Sequence, residues 1–216
     1  MKPLHDCRLY TFVDTGYLSG CPATDVAKKL CDGGSDIIQL RAKSSSADEV
    51  QRMADAIAPI TERAGVHLVI NDHLSLARRM PRPFVHLGQE DFFDAGHTQV
   101  SELQTPNSEL RVGLSSHAPE QALRAVMAGA DYVAIGPIFP TATKPSRSAV
   151  TLDYVRWASS NVQIPWFAIG GINLENLDQV IEAGARRICV VSAILQAPDI
   201  ARACQQFRQR LLSASL

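Results

Sequence analysis

The densest group of anion-binding side chains lies at the end of an apolar run, within residues 37–43. Gln39, Arg41 and Lys43 alternate there along an extended segment, and alternate side chains of an extended chain point to one face. That face would present an amide, a guanidinium that binds oxyanions through two hydrogen bonds, and an ammonium, a set that suits a diphosphate. An exposed strand end with solvated charges has the same spacing, so the pattern favours diphosphate binding without specifying it.

Two carboxylates follow neighbouring apolar runs and are candidate magnesium ligands. Asp72 comes directly after Asn71 at the end of one run, and Asp91 follows the next run along the chain. Magnesium prefers hard oxygen donors and commonly takes one or two carboxylates together with waters and substrate phosphates. The structural alternatives are an Asp72 that caps a helix starting near His73 and an Asp91 that is a solvated loop residue.

Later apolar runs are also followed by groups that bind phosphate. The side-chain donors are Ser115, Thr141, Thr143 and Lys144, for which a solvated polar loop is the alternative. Two further turns, one around Gly171 and one around Val191 and Ser192, follow the last two runs. In many barrels these two loops form a phosphate site from backbone amides and a helix N-terminus, although a tight glycine turn is the simpler interpretation.

No nucleophile–base pair accompanies these groups, and the chain has no GxSxG, HExxH or Walker A motif. The inventory is therefore a pair of metal ligands, one basic set for a phosphorylated group and a separate backbone site for another. It predicts a reaction that joins or cleaves phosphorylated small molecules. Such a reaction would be driven by stabilising the charge of a leaving group rather than by covalent catalysis.

Short apolar runs alternate with segments long enough for one helix each, which predicts repeated strand–helix units. The predicted strands are Arg8–Val13, Ile37–Leu40, His67–Ile70, Phe84–Leu87, Arg111–Leu114, Tyr132–Ile135, Trp166–Ile169 and Ile188–Val191. A single (β/α)8 TIM barrel domain over residues 1–216 fits this rhythm, and a doubly wound open sheet is the alternative. The barrel predicts that the polar clusters meet at the carboxyl ends of the strands, with the long loop from Pro137 to Val150 as a lid.

Two helices are marked by apolar spacing and by glycines that stop them. The first runs from Ala118 to Ala128, and its predicted buried face consists of Ala122, Leu123, Val126 and Met127. The second follows a capping Asn173 and ends at Gly184, and its predicted buried face consists of Leu174, Leu177 and Ile181.

Composition and charge exclude several classes of protein. The formal net charge of -1 argues against a broad nucleic-acid or anionic-membrane surface, and no segment has the length and hydrophobicity of a signal peptide or a membrane span. The five cysteines are odd in number and lack CxxC spacing, which is typical of a reducing compartment. We expect a cytoplasmic protein whose partners are phosphorylated small molecules, and the sequence leaves homo-oligomer formation open.

Taken in order, these segments resemble the thiamine-phosphate synthase family over nearly the whole chain, from Leu9 to about Ile200. The matching motifs are QLRAK at 39–43, IND at 70–72, VHLGQED at 85–91, GLSSH at 113–117, and the segments 136–145, 168–173 and 190–194. The resemblance implies a (β/α)8 barrel that couples 4-amino-2-methyl-5-(diphosphooxymethyl)pyrimidine with 4-methyl-5-(2-phosphooxyethyl)thiazole or its carboxylated form. The products would be thiamine phosphate and diphosphate, formed by a dissociative, magnesium-assisted substitution.

The resemblance also implies a role for each candidate residue. One Mg2+ ion per subunit would be held by Asp72 and Asp91. The pyrimidine diphosphate would be bound by Gln39, Arg41, Lys43, Asn71, Ser115 and Lys144, of which Arg41, Lys43, Ser115 and Lys144 are the implied catalytic residues. The thiazole phosphate would be bound by Thr141, Thr143, Gly171, Val191 and Ser192.

Three rival interpretations remain. A homologous thiazole tautomerase uses a histidine where this chain has Pro137, and proline has no group that transfers a proton. A non-catalytic barrel that binds thiamine precursors would need neither the two carboxylates nor Lys144. An unrelated phosphosugar isomerase or aldolase barrel would need a general base or a Schiff-base lysine, and the sequence pattern indicates neither.

Overall fold

The computed structural model describes residues 1–105, 109–141 and 149–214, which form a closed barrel of eight parallel strands. The strands are β1 (Leu9–Asp14), β2 (Ile37–Arg41), β3 (His67–Asn71), β4 (Phe84–Leu87), β5 (Arg111–Ser116), β6 (Tyr132–Ile135), β7 (Trp166–Ile169) and β8 (Ile188–Cys189). Each strand pairs with the next along the chain, and β8 closes the barrel by pairing with β1. The predicted barrel is therefore confirmed, and the open-sheet alternative is wrong.

Helices follow the strands and cover the outside of the barrel. In the described ranges they are α1 (Ala23–Asp32), α2 (Ala47–Ala64), α3 (Leu74–Ala77), α4 (Gln89–Asp94), α5 (Pro119–Met127), α6 (Thr151–Asn161), α7 (Leu177–Glu182), α8 (Ser192–Leu195) and α9 (Ile200–Ser213). The longest, α2, begins with a capping box in which Ser46 and Glu49 satisfy each other's backbone N–H groups, and it ends at a left-handed Gly65. Within these ranges, none of the helices combines the length and hydrophobicity that a membrane crossing requires.

Four aromatic rings fill the barrel interior beneath the carboxyl ends of the strands. Tyr132 lies at the centre, with ring centroids 5.8 Å from Tyr10, 5.7 Å from Phe84 and 5.5 Å from Phe167, each edge to face. Gly113 on β5 makes room for the Tyr132 ring, because a methyl group at that position would overlap the ring carbons. This aromatic layer forms a rigid floor for whatever lies above it.

The amino-terminal segment closes the opposite end of the barrel through Asp36, which lies just before β2. The Asp36 carboxylate accepts hydrogen bonds from Lys2 Nζ at 2.5 Å and from the N–H groups of Arg8 and Leu9 at 2.8 and 3.2 Å. Burial raises the pKa of Asp36, but these hydrogen bonds and the Lys2 charge outweigh burial and hold the pKa below its ordinary value. The ionised carboxylate therefore fastens the chain terminus to the barrel.

The predicted buried face of α5 is partly wrong. Ala122 and Ala125 are the residues that pack inward, whereas Leu123 and Met127 are 43% and 79% exposed. Methyl side chains let the helix backbone lie close against the sheet, so the small residues take the inner face. Val126 is half-buried, between these extremes.

The helix predicted after Asn173 begins later than expected. The Asn173 side chain accepts hydrogen bonds from the N–H groups of Glu175 and Asn176, at 2.9 and 3.1 Å, and so caps a turn that precedes α7. Leu177 is buried as predicted, while Val180 is the other fully buried residue of the helix. Leu174 and Ile181 are only half-buried; Gly184 follows the helix in a left-handed conformation, as predicted.

Candidate active site

A cavity of about 580 Å3 opens at the carboxyl ends of the strands, above the aromatic layer. The sequence-predicted site residues that line it are Gln39, Arg41, Lys43, Asn71, Asp72, Asp91, Ser115, Thr141, Gly171, Val191 and Ser192. Thr143 and Lys144 lie outside the described residues. Residues from seven different strand ends thus meet in one space, as the barrel hypothesis required.

Arg41 is held at the cavity wall by a carboxylate that the sequence analysis missed. Its Nη1 donates to Asp14 Oδ2 at 2.6 Å, and the Asp14 and Arg41 side chains are 3% and 18% exposed. Asp14 ends β1 directly opposite Arg41 on β2, and its other oxygen accepts the N–H of Gly16 at 2.9 Å. The guanidinium is therefore fixed at one corner, which leaves its other N–H groups for an anion in the cavity. The available signal was an apolar run that ends in an acidic residue.

Asp72 faces the basic residues rather than capping a helix. Helix α3 begins at Leu74 with His73 as its N-cap residue and without a side-chain cap. The Asp72 carboxylate accepts a hydrogen bond from Asn71 Nδ2 at 2.6 Å and lies 3.7 Å from Lys43 Nζ. Asp72 has a φ of +64°, a left-handed conformation that aspartate tolerates better than most residues. The helix-cap alternative for Asp72 is wrong.

Asp91 lies in the first turn of α4, not in a loop, and its exposed carboxylate packs against Gly88. Together with Asp72 it supplies two hard oxygen donors to the same cavity. Across the part of the chain that the structure describes, no three His, Cys, Asp or Glu residues form a preformed metal cage. Two carboxylates without a third ligand fit magnesium, because this ion commonly completes its shell with water and substrate phosphate oxygens.

Ser115 connects the end of β5 to the start of α4. Its hydroxyl accepts the N–H of Gln89 at 3.2 Å, and the Gln89 side chain is itself buried. The serine therefore fixes the first turn of the helix that carries Asp91. This contact gives Ser115 a structural task in addition to the substrate contact that the sequence predicted.

The loops after β6 and β7 are joined at the opposite side of the cavity. The N–H groups of Ile138 and Phe139 donate to the carbonyls of Ile169 and Gly170 at 2.8 and 3.0 Å. Gly171 has a φ of +66°, and a Cβ there would lie 2.7 Å from the Phe139 Cβ, so only glycine fits this close approach. Gly171 and Ser192, the first residue of α8, both border the cavity.

A buried chain of hydrogen bonds crosses the cavity floor and links four strands. Gln39 Nε2 donates to Tyr10 Oη at 2.8 Å, the Tyr10 and Tyr132 hydroxyl oxygens are 2.9 Å apart, and Tyr132 Oη lies 2.8 Å from His86 Nδ1. Burial raises the pKa of Tyr10 and of Tyr132 far above the usual range, so both phenols keep their protons. His86 is half-buried and borders the cavity. This chain of hydrogen bonds was not visible in the sequence, where both tyrosines count as members of apolar runs.

A closed parallel barrel that gathers amides, cations, hydroxyls and carboxylates at the carboxyl ends of its strands is a TIM barrel with a polar and charged mouth. Comparison with known proteins gives the family. The chain belongs to the thiamine monophosphate synthase family, which matches residues 9–194. The resemblance drawn from the sequence motifs is therefore confirmed.

Individual relatives cover most of the chain. A thiamine-phosphate synthase from Thermus thermophilus is 46% identical over 193 residues, which are 87% of this chain and 88% of that protein. One from Acidothermus cellulolyticus is 42% identical over 216 residues and covers 98% of both chains. Among solved structures, a thiamine phosphate pyrophosphorylase from Pyrococcus furiosus is 26% identical, with a TM-score of 0.85 over 99% of both chains.

Proposed function

We propose that this barrel is a thiamine-phosphate synthase that joins a 4-aminopyrimidine diphosphate ester to a thiazole phosphate and releases diphosphate. The observation that carries this proposal is the convergence of Arg41, Lys43 and Asn71 with Asp72 and Asp91 in one cavity. Cations and carboxylates at a shared site suit a diphosphate that is bound together with a divalent ion.

Each group has a task in a dissociative substitution. The bond between the pyrimidine methylene carbon and the diphosphate oxygen breaks, and its electron pair leaves with the diphosphate. Arg41 and Lys43 stabilise the charge that develops there, because their donors already point into the cavity before the reaction. The thiazole nitrogen then forms the new bond with its lone pair. This step needs no general base, which agrees with the lack of one in the sequence pattern.

Magnesium fits the two carboxylates and, when bound, would add further neutralisation of the leaving diphosphate. Asp72 and Asp91 would hold the ion, and Asn71 keeps Asp72 in place through the 2.6 Å hydrogen bond. The thiazole phosphate belongs at the other side of the cavity, near Thr141 and the turns at Gly171 and Ser192. This separation places the two phosphorylated groups apart and leaves the reacting atoms between them.

The tautomerase alternative is disfavoured by Pro137, which borders the cavity where that reaction would need a histidine. A thiamine-precursor sensor would bind the same ligands without turnover. The synthase and the sensor therefore differ in product formation, not in ligand binding.

The test incubates the purified protein with both phosphorylated substrates, with and without Mg2+, and measures thiamine phosphate by chromatography. We expect product that depends on the metal and on both substrates. Lys43→Ala should lower kcat/KM for the pyrimidine at least about tenfold, because one charge-stabilising donor is lost. Lys28→Ala, an exposed lysine paired with Asp25 on α1, is the matched control and should have no effect. Binding of either substrate without product would favour the sensor.

A further inference from the structure

We propose that Tyr10 and Tyr132 are positioning residues that turn the Gln39 amide oxygen toward the substrate, so that the site selects a 4-amino over a 4-oxo pyrimidine. The inference deepens the proposed function and rests on it, because the family resemblance implies that Gln39 binds the pyrimidine substrate of that reaction. It concerns the floor of the site, whereas the diphosphate is bound above by Arg41 and Lys43.

The direction of the hydrogen-bond chain follows from the number of protons available. Gln39 Nε2 is only a donor, so Tyr10 Oη accepts from it. Among the described residues Tyr132 Oη is the only acceptor within reach of the Tyr10 proton, so Tyr10 donates to it, and the single Tyr132 proton goes to His86 Nδ1. In this order His86 Nδ1 is the acceptor at the end of the chain. The opposite order would need a proton on Nδ1 and would turn the Gln39 amide around.

This direction decides what Gln39 offers to a ligand. Gln39 is only 3% exposed, and its remaining surface borders the cavity. Nε2 is held by Tyr10, while the carbonyl oxygen is not among the buried atoms that lack a partner and so is open to the cavity. The carbonyl oxygen is therefore the amide atom that meets the substrate. An exocyclic amino group donates to that oxygen, whereas a 4-oxo group would place two acceptors against each other. Because a buried site built to accept an N–H rejects an analogue without one, we expect about 100-fold weaker binding of the oxo compound.

The tyrosine rings make the arrangement rigid. Tyr10 and Tyr132 pack edge to face with each other and with Phe167, at centroid distances from 5.4 to 5.8 Å. A ring held on all sides keeps its hydroxyl in one place, so the amide cannot turn without losing its partner. Removing the hydroxyl while keeping the ring therefore separates orientation from packing.

The test compares binding of the 4-amino and 4-oxo pyrimidine monophosphate esters by calorimetry, in the absence of the thiazole phosphate. Wild-type protein should prefer the amino compound by about 100-fold. In Tyr10→Phe the amide loses its partner and can present either end, so the preference should fall below about tenfold, with weaker binding of the amino ester and tighter binding of the oxo ester. Tyr132→Phe removes the partner of Tyr10 and should give an intermediate preference, which keeps the test available if Tyr10→Phe fails to fold.

Tyr154→Phe is the matched control. Tyr154 is also buried, and its hydroxyl contacts Ser116 Oγ at 2.8 Å and the Ala118 carbonyl at 2.6 Å, but it does not border the cavity. Its loss should leave the preference unchanged. An unchanged preference in folded Tyr10→Phe or Tyr132→Phe, or equal weakening of both esters, would overturn the inference. Loss of condensation by the wild-type protein would instead refute the proposed function.

Discussion

Replacing Asp14 by asparagine should remove the charge that balances Arg41 and destabilise the protein by about 3 kcal/mol. Breaking a buried ion pair by removing one partner typically costs about 3–5 kcal/mol. The lower end applies because asparagine keeps an acceptor oxygen and because the Arg41 side chain stays 18% exposed to the cavity. For a chain of 216 residues this corresponds to a fall in Tm of about 6–12 °C.

The assay is urea and thermal unfolding of Asp14→Asn beside Asp153→Asn. Asp153 pairs with Arg156 at a similar distance, 2.7 Å against 2.6 Å, but the Asp153 and Arg156 side chains are 88% and 60% exposed. Its loss should change stability by less than about 0.5 kcal/mol. Equal losses in the two variants would refute the claim that burial makes the Asp14 pair important.

Inorganic diphosphate provides a second measurement on the same variant. In wild-type protein Asp14 already balances the Arg41 charge, whereas in Asp14→Asn that charge lacks its carboxylate partner. Added diphosphate should therefore raise the Tm of Asp14→Asn more than that of the wild type. An equal rise in both proteins would mean that Arg41 does not face the bound anion.

Three further predictions concern other parts of the barrel. Asp36 has a lowered pKa, so its contribution to stability is present above about pH 4 and is lost as the pH falls through the folded-state pKa. In urea unfolding, Asp36→Asn should be less stable than wild type at pH 7, and the difference should shrink as the pH falls below about 4; a constant difference would contradict this. Asp91→Asn should raise the Mg2+ concentration for half-maximal activity at least about tenfold; an unchanged magnesium titration would remove Asp91 from the metal site. Gly113→Ala should lower the free energy of unfolding by about 1–3 kcal/mol, because its methyl group overlaps the Tyr132 ring; an unchanged urea midpoint would refute the overlap.

The barrel could be predicted because parallel strands buried on both faces appear in the sequence as short apolar runs. The strand boundaries were less accurate. The predicted last strand, 188–191, is paired only at Ile188 and Cys189, because Val191 turns with a ψ of -89° to start α8. The first strand extends one residue further than predicted, to Asp14. That extra residue is the one that binds Arg41.

Hydrophobicity alone also predicted the wrong buried residues for α5. Leu123 and Met127 are the larger apolar residues, and the pattern placed them inside, but helix packing against the sheet selected alanines 122 and 125. Which face of a helix lies inward depends on how close the backbone approaches its neighbour. That distance is a property of the assembled barrel and is absent from the local sequence.

The candidate site also contains some residues that the local sequence reveals and others that only the assembled barrel reveals. Charged and polar residues at the ends of apolar runs, such as Arg41 and Asp72, could be identified in the sequence. Tyr10 and Tyr132 could not, because a tyrosine within an apolar run is indistinguishable from a core residue until its hydroxyl partner is known. Their partners come from strands far apart in the chain, and only barrel closure brings the hydroxyl oxygens to 2.9 Å.

At the floor of the cavity, Tyr10 and Tyr132 serve both the packing of the core and the proposed recognition of substrate. Each tyrosine ring belongs to the aromatic layer, while its hydroxyl belongs to the chain that ends at Gln39. The rings cannot shift without disturbing Phe84 and Phe167, so the hydrophobic core determines where the hydroxyls lie. The position of the Gln39 amide, the group proposed to contact substrate, is then fixed by apolar burial, which does not depend on the ligand. A site built in this way is organised before substrate arrives and loses little conformational entropy on binding.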